Sequence, residues 1–261
     1  MKFMPNLTVQ QVATNKPPRW NFPPKLSRFT KAIALVAILF LSLFLAPAKA
    51  AYAQGAIPTP QQVVEYALTL EKLEADFYRK AIDATNGGGL ASAPQIAKGA
   101  IVSYGEDEAQ HVVDLSAVLR ALGGNPDAVT IPANPNYSAI LGRDPFANPA
   151  DFLLAGQYVE DLGVAAYKGQ VQNLLAAGEA GKTVLAGALE IHTVEARHAA
   201  GIRFLRQTLL GADIRPWIRS PQEVIYQEVR PDSPIPFASE AFDGFATMDE
   251  VLALVKPILT P

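Results

Sequence analysis

The chain has 261 residues, three histidines and no cysteine, with 22 Lys and Arg against 25 Asp and Glu. Without cysteine it has neither disulfides nor thiolate metal sites. Seven of the basic residues fall in 1–53, leaving 15 against 25 acids over 54–261. That net charge of −10 disfavours nucleic acid and favours cations.

Residues 1–53 read as a leader outside the fold. No acid precedes Glu65, and a 15-residue apolar run, Ala32–Ala46, is followed by Pro47, Ala48-Lys49-Ala50 and Ala51-Tyr52-Ala53. A basic region, an apolar region and small-residue cleavage sites, in that order, make a secretory signal peptide. The run is short against the about 20 residues of a membrane-spanning helix. An uncleaved N-terminal membrane anchor stays open as the alternative. There is no twin-arginine pair, so the general secretory route is expected. The destination is the periplasm or another extracytoplasmic compartment.

The rest reads as one domain, a helical bundle over 54–211 with an extension over 212–261. Thr59-Pro60-Gln61-Gln62 starts the first helix, with Thr as N-cap, Pro at N1 and Gln completing a capping box. Its stripe runs Val63, Ala67, Leu70, Phe77, with Glu71, Glu74 and Tyr78 in or beside it. The pattern fades at Asn86-Gly87-Gly88-Gly89. A second helix spans about Pro94 to Leu122, with Ile101, Tyr104, Leu115, Val118 and Leu122 as its apolar seam. Glu108 and His111 fill two vacant places on that seam. From Asn125 to Asn148 the helical period disappears and prolines punctuate the chain. So long a connection is expected where a crossover joins parallel helices from opposite ends of a bundle.

Asn148-Pro149 caps a third helix, which carries Phe152, Gly156, Val159, Glu160, Gly163, Ala166 and Tyr167 on one face. The fourth is built around Leu185–Gly211, with Ala188, Ile191, Ile202, Leu205 and Leu209 as its seam and Glu195 and His198 in mid-stripe. Buried without partners, a carboxylate and an imidazole there would cost several kcal/mol, about what an unpaired polar group costs.

The chain repeats itself. A shift of 87 lays Glu108 on Glu195 and His111 on His198, and a shift of 89 lays Glu71 on Glu160 and Tyr78 on Tyr167. Glu74 falls on Gly163 and has no counterpart. A duplicated helix pair is the economical reading. After Gly211 the tail is rich in proline, with Trp217, Ile218, Val224, Ile225 and Tyr226 available to pack on the bundle. Thr247-Met248-Asp249-Glu250 opens a short helix through about Val255.

One Glu from each of two helices and one Glu-x-x-His from each of the other two is the pattern of ferritin-like di-metal carboxylate proteins. In the order Glu71, Glu108-x-x-His111, Glu160, Glu195-x-x-His198 the chain resembles ferritin, bacterioferritin and rubrerythrin. With its signal-like start and C-terminal tail it resembles exported bacterial ferritin-like proteins related to desiccation-associated ones. The resemblance implies an all-α, ferritin-like four-helix bundle with a long crossover between helices 2 and 3. An irregular C-terminal extension ending in a short helix completes it.

It also implies a metal site of two Fe or Mn ions held by Glu71, Glu108, His111, Glu160, Glu195 and His198. Glu108 and Glu195 would bridge and Glu71 and Glu160 would be terminal. Tyr78 and Tyr167 would hydrogen-bond the carboxylates, or else serve as interfacial core residues. Glu74 stays open as an alternative ligand to Glu71. His192 reads as a satisfied or solvent-facing histidine, and Asp107 as facing water or a neighbouring helix.

Three functions stay open. One is a di-metal oxidase that oxidises Fe(II) or reacts with O2 or H2O2 in stress protection. The second is a non-catalytic metal-binding or desiccation- and stress-associated structural protein without turnover, and the third a bundle that keeps the ligands but works through its surface, with membrane or envelope partners. The proline-rich tail departs from the compact storage ferritins, so no mineral cage is expected, and the chain reads as a monomer or homodimer.

Overall fold

A computed structural model of the chain describes residues 57–227 and 243–260. The leader reading for 1–53 and the middle of the proline-rich tail lie outside the described residues. No helix among those described is long and apolar enough to cross a membrane.

The described residues form six α-helices and no strand: α1 (Pro60–Thr85), α2 (Gln95–Ala121), α3 (Ser138–Leu141), α4 (Pro149–Ala176), α5 (Gly178–Leu210) and α6 (Met248–Leu259). The predicted caps are made as written. Thr59 and Gln62 exchange side-chain and backbone hydrogen bonds at the start of α1, and the Asn148 side chain accepts from the Asp151 N–H at α4. Such caps contribute about 1 kcal/mol each. Only Ala177 separates α4 from α5, and the reversal is taken at Gly178, whose φ of +70° is the left-handed region that glycine enters freely.

Side-chain pairings fix the directions of the four long helices. Tyr78 donates to Glu160 and Tyr167 to Glu71, so numbering rises along α1 as it falls along α4. His198 meets Glu108 and His111 meets Glu195, so α2 and α5 are antiparallel too. His111 meets Glu71 while Tyr104 packs on Tyr78, which makes α1 and α2 antiparallel. Thus α2 and α4 run parallel, and the segment between them is the expected crossover.

That crossover holds more structure than its prolines suggest. Tyr137 is buried, its hydroxyl donating to the Leu73 carbonyl at 2.7 Å, and the single turn of α3 follows it. Lys72 Nζ donates to the carbonyls of Pro126 (2.9 Å) and Val129 (2.6 Å). Burial of one aromatic ring and three bonds to α1 hold a segment whose local pattern carries no helical period. A second correction concerns α6, which runs through Pro257 to Leu259 rather than ending near Val255. Proline lacks one helical bond. The last turn survives because Ile258 packs on the bundle and its carbonyl accepts the Asn136 N–H at 2.8 Å.

The core lies between the helix pairs, with Phe77, Phe152, Ile101 and Ile202 on one side of the bundle's middle layer. Val64, Leu68, Leu119 and Leu174 lie on the other. Each such side chain contributes about 1.5–3 kcal/mol when buried. Val118 and Leu209, expected on the buried seams, are instead 37% and 36% exposed. Of the tail residues, Ile218, Val224 and Tyr226 are buried, while Trp217 stays half exposed. Arg203, buried on α5, ties this tail down. It holds Asp161 through two bonds of 2.9 and 2.6 Å and reaches Glu223 at 2.6 Å.

Candidate metal centre

In each Glu-x-x-His the three-residue spacing puts both side chains on one helix face, one turn apart. The four helices bring Glu71, Glu108, His111, Glu160, Glu195 and His198 into one layer, none more than 7% exposed. His111 Nδ1 lies 3.1 Å from Glu71 Oε2, 3.0 Å from Glu108 Oε2 and 3.3 Å from Glu195 Oε1. His198 Nδ1 lies 2.8 Å from Glu108 Oε1 and 3.6 Å from Glu160 Oε2.

Two sets of donor atoms result, each within 4.8 Å: Glu71, Glu108, His111 and Glu195, and Glu108, Glu160, Glu195 and His198. Glu108 and Glu195 belong to both.

The layer fits metal on three grounds. Ligand atoms at right angles about 2.1 Å from one ion stand about 3 Å apart, close to the spacing around His111. Neither oxygen of Glu195 has a hydrogen bond, and neither does Glu160 Oε2, although all are buried. Orphaned buried acceptors are costly unless a cation meets them. Lastly, carboxylate and imidazole form an oxygen–nitrogen donor set suited to iron and manganese. Four carboxylates and two neutral imidazoles would carry −4, which two divalent ions cancel.

Without cations, protons take over part of that work. Burial raises Glu71 to about 8 and pushes Glu160, and more strongly Glu195, above the usual carboxylate range, with the neighbouring Glu108 charge adding to it. Burial also acts on Glu108, but hydrogen bonds from His111 and His198 prevail and bring it down to about 2. Burial opposes the charge on both imidazoles as well. The facing carboxylates overcome it and hold His111 at about 12 and His198 at about 11.

Around the layer, Tyr78 donates to Glu160 and Tyr167 to Glu71, both hydroxyls buried. Asp107, expected to face water or another helix, does the latter: its Oδ2 is 3.0 Å from His198 Nε2, which orients the ring so that Nδ1 faces the carboxylates. The Tyr104 ring stacks on His198 at 4.1 Å between centroids. A Cβ on residue 201 would collide with the Tyr104 hydroxyl, so Gly201 permits that stacking.

Sequence reasoning missed both supports of His198. The signal for Asp107 was its place four residues before His111, next to Glu108, on the helix edge that turns toward α5. Glu74 is buried but falls in neither group of four. It lies over Gly163, where a side chain would press within 3.1 Å of its Oε1 and 3.0 Å of Glu195 Oε2. His192 is half-buried and outside both groups.

A family model described as a ferritin-like domain matches residues 59–208. The comparison with curated proteins returns no significant match, and neither does the comparison with solved structures.

Proposed function

The chain belongs to the ferritin-like domain family, and from that premise we propose that its buried layer holds two Fe or Mn ions and oxidises Fe(II) or reacts with O2 or H2O2. The observation that carries the reading is the sharing of Glu108 and Glu195 between two groups of four ligands. Carboxylates common to both groups would hold two cations in one charge environment. Bound there, iron or manganese would supply the one-electron and oxygen chemistry that amino acids lack.

The chain's own residues do the rest. Glu71 and His111 would complete one position, Glu160 and His198 the other. Tyr167 and Tyr78 hold the two terminal carboxylates by hydrogen bonds, and Asp107 fixes the His198 ring. Binding displaces the protons that His111, His198 and the raised glutamates carry without metal.

The leader-like start supports an exported protein, and stress protection is the role that fits a metal oxidase outside the cytoplasm. The test is metal content per chain after offering Fe(II) and Mn(II) separately to the purified protein, followed by O2 and H2O2 consumption. Two ions per chain with turnover supports the oxidase. Two ions with no turnover supports a metal-binding protein without catalysis, and no tight binding of either ion overturns both.

A further inference from the structure

The repeat leaves one buried carboxylate beside the layer without a counterpart. Glu74 falls on Gly163 in the 89-residue shift, and the antiparallel pairing of α1 and α4 brings those two residues face to face. A Cβ added at Gly163 would come 3.1 Å from Glu74 Oε1 and 3.0 Å from Glu195 Oε2. Glycine is required by what borders it: any side chain there would press on both oxygens. One half of the repeat supplies a carboxylate and the other a cradle beneath it.

The oxygens around that cradle have little else to bind. Glu195 is fully buried, and neither of its oxygens has a hydrogen bond. His111 Nδ1 stands 3.3 Å from Oε1, which leaves Oε2 turned toward Gly163. Glu74 is 7% exposed, and its Oε2 is also without a hydrogen-bond partner. Charge points the same way. The two ions of the proposed pair cancel four carboxylates and leave Glu74 over, and a buried carboxylate is costly unless a cation meets it.

A cavity of about 180 Å³ opens in front of Glu74 and Gly163, between α1, α4 and α6. Of the described residues that line it Glu74 alone is charged, and Leu70, Phe77, Leu162 and Leu254 are typical of the rest. The Tyr137 hydroxyl at its wall is already committed to the Leu73 carbonyl. The space has room for several waters at about 30 Å³ each. A small divalent ion held by only one or two carboxylates keeps several waters in its shell.

We propose that Glu74 and Glu195 hold a third divalent cation in front of Gly163, partly hydrated from the cavity, as a staging position beside the pair. The ion takes the place that a side chain at 163 would fill. Both oxygens stand about 3 Å from that point, and drawing in by about 1 Å brings them to ion–oxygen bonding distance. Two protein ligands, against four in each group of the pair, make it the weakest of the three positions. One positive charge left over with three ions bound acts in the same direction. The proposal rests on the metal reading of the layer, since Glu195 serves both.

The full chain, freed of metal with a chelator, is titrated with Mn(II) in sodium chloride. Bound ions are counted by calorimetry and by the electron paramagnetic resonance of free Mn(II). Three ions per chain are expected, the third at least tenfold weaker than the first two and lost on gel filtration. Glu74→Gln keeps the shape and removes the charge; it should lose the third ion while still binding two. Gly163→Ala fills the cradle and keeps Glu74; it should weaken the third ion tenfold or more with helix content unchanged. A third ion that persists in both variants is a surface ion and overturns the site. Loss of one of the two tight ions in Glu74→Gln places Glu74 in the pair and overturns the staging position. Two tight ions without a third overturn this inference alone, whereas no binding of any ion overturns it together with the metal reading.

Discussion

The two imidazoles of the centre come from duplicated segments and have different surroundings. His198 is held from behind by Asp107 at 3.0 Å and covered by the Tyr104 ring. Carried through the 87-residue shift, these supports become Val194 and Ile191, apolar residues that line a second cavity, beside His111. His111 therefore faces three carboxylates through Nδ1 and an apolar space on its other flank. The repeat keeps the glutamate and histidine at each place and differs in what lies behind them. With metal held as proposed, Glu160 and His198 would form a braced position and Glu71 and His111 an accessible one beside the cavity.

The largest effect should come from removing what both halves share. Glu108→Ala or Glu195→Ala is expected to lose most bound metal at both positions, while Glu71→Ala loses it at one; metal analysis decides. With the ion gone, its contribution of about 2.7 kcal/mol at 100-fold excess over Kd disappears, and the melting temperature should fall by roughly 5–10 °C. Equal metal content in all three variants would remove the shared-ligand picture.

Next in size, Asp107→Ala should weaken metal binding about 10–100-fold, the usual effect of removing a group that orients a ligand. Val194→Ala, its counterpart, should leave affinity unchanged. If the two behave alike, the braced and accessible positions are not distinct. Smaller again is the tyrosine pair: Tyr78→Phe and Tyr167→Phe should each weaken binding several-fold, measured by competition with a chelator. Tyr78→Phe should act on the braced position and Tyr167→Phe on the accessible one.

The smallest expected effect is on the metal-free protein as pH changes. Glu71 titrates near 8 in the fold against 4.5 unfolded, so the native state holds more protons between these values and stability falls as pH rises. His111 and His198, raised from 6.5 to about 12 and 11, have the same sign. Their contribution is complete below 6.5 and is lost as pH climbs through their folded values. Glu108, depressed to about 2, loses its contribution only as pH falls from 4.5 through 2, outside this window. The melting temperature should therefore drop by a few degrees from pH 5 to pH 8 without metal and stay nearly level with it. A rise over that range would contradict the protonation pattern.

Much of this was legible in the sequence, because helices advertise themselves locally. Thr59 with Gln62, Asn148 before Pro149, and Thr247 with Glu250 mark starts that the structure makes. Glu71 and Glu160 stood out because the repeat aligned them, and the family match over 59–208 agrees with the bundle. Asp107 was not legible as a partner of His198, since its side chain is half exposed and only the approach of α5 gives it a role. Tyr137 and α3 escaped for a related reason: what fixes them is a carbonyl on α1, 64 residues away. The cavity beside His111 was the least visible, because it is made of side chains that are small relative to counterparts on another helix.

One topological fact has a kinetic consequence. Each helix pair closes through a nearby connection, but Tyr78 meets Glu160 across 82 residues and Tyr167 meets Glu71 across 96. Local hairpins form before distant partners meet. Helix is therefore expected to form early, with docking of the two hairpins, whose contact faces both carry glutamates, as the slow event. Cations that neutralise those faces should speed docking, so refolding followed by tyrosine fluorescence should quicken with Mn(II) while the earlier gain of helix does not. The candidate metal layer is thus complete only when the second hairpin closes on the first, since each hairpin carries half of its glutamates and histidines.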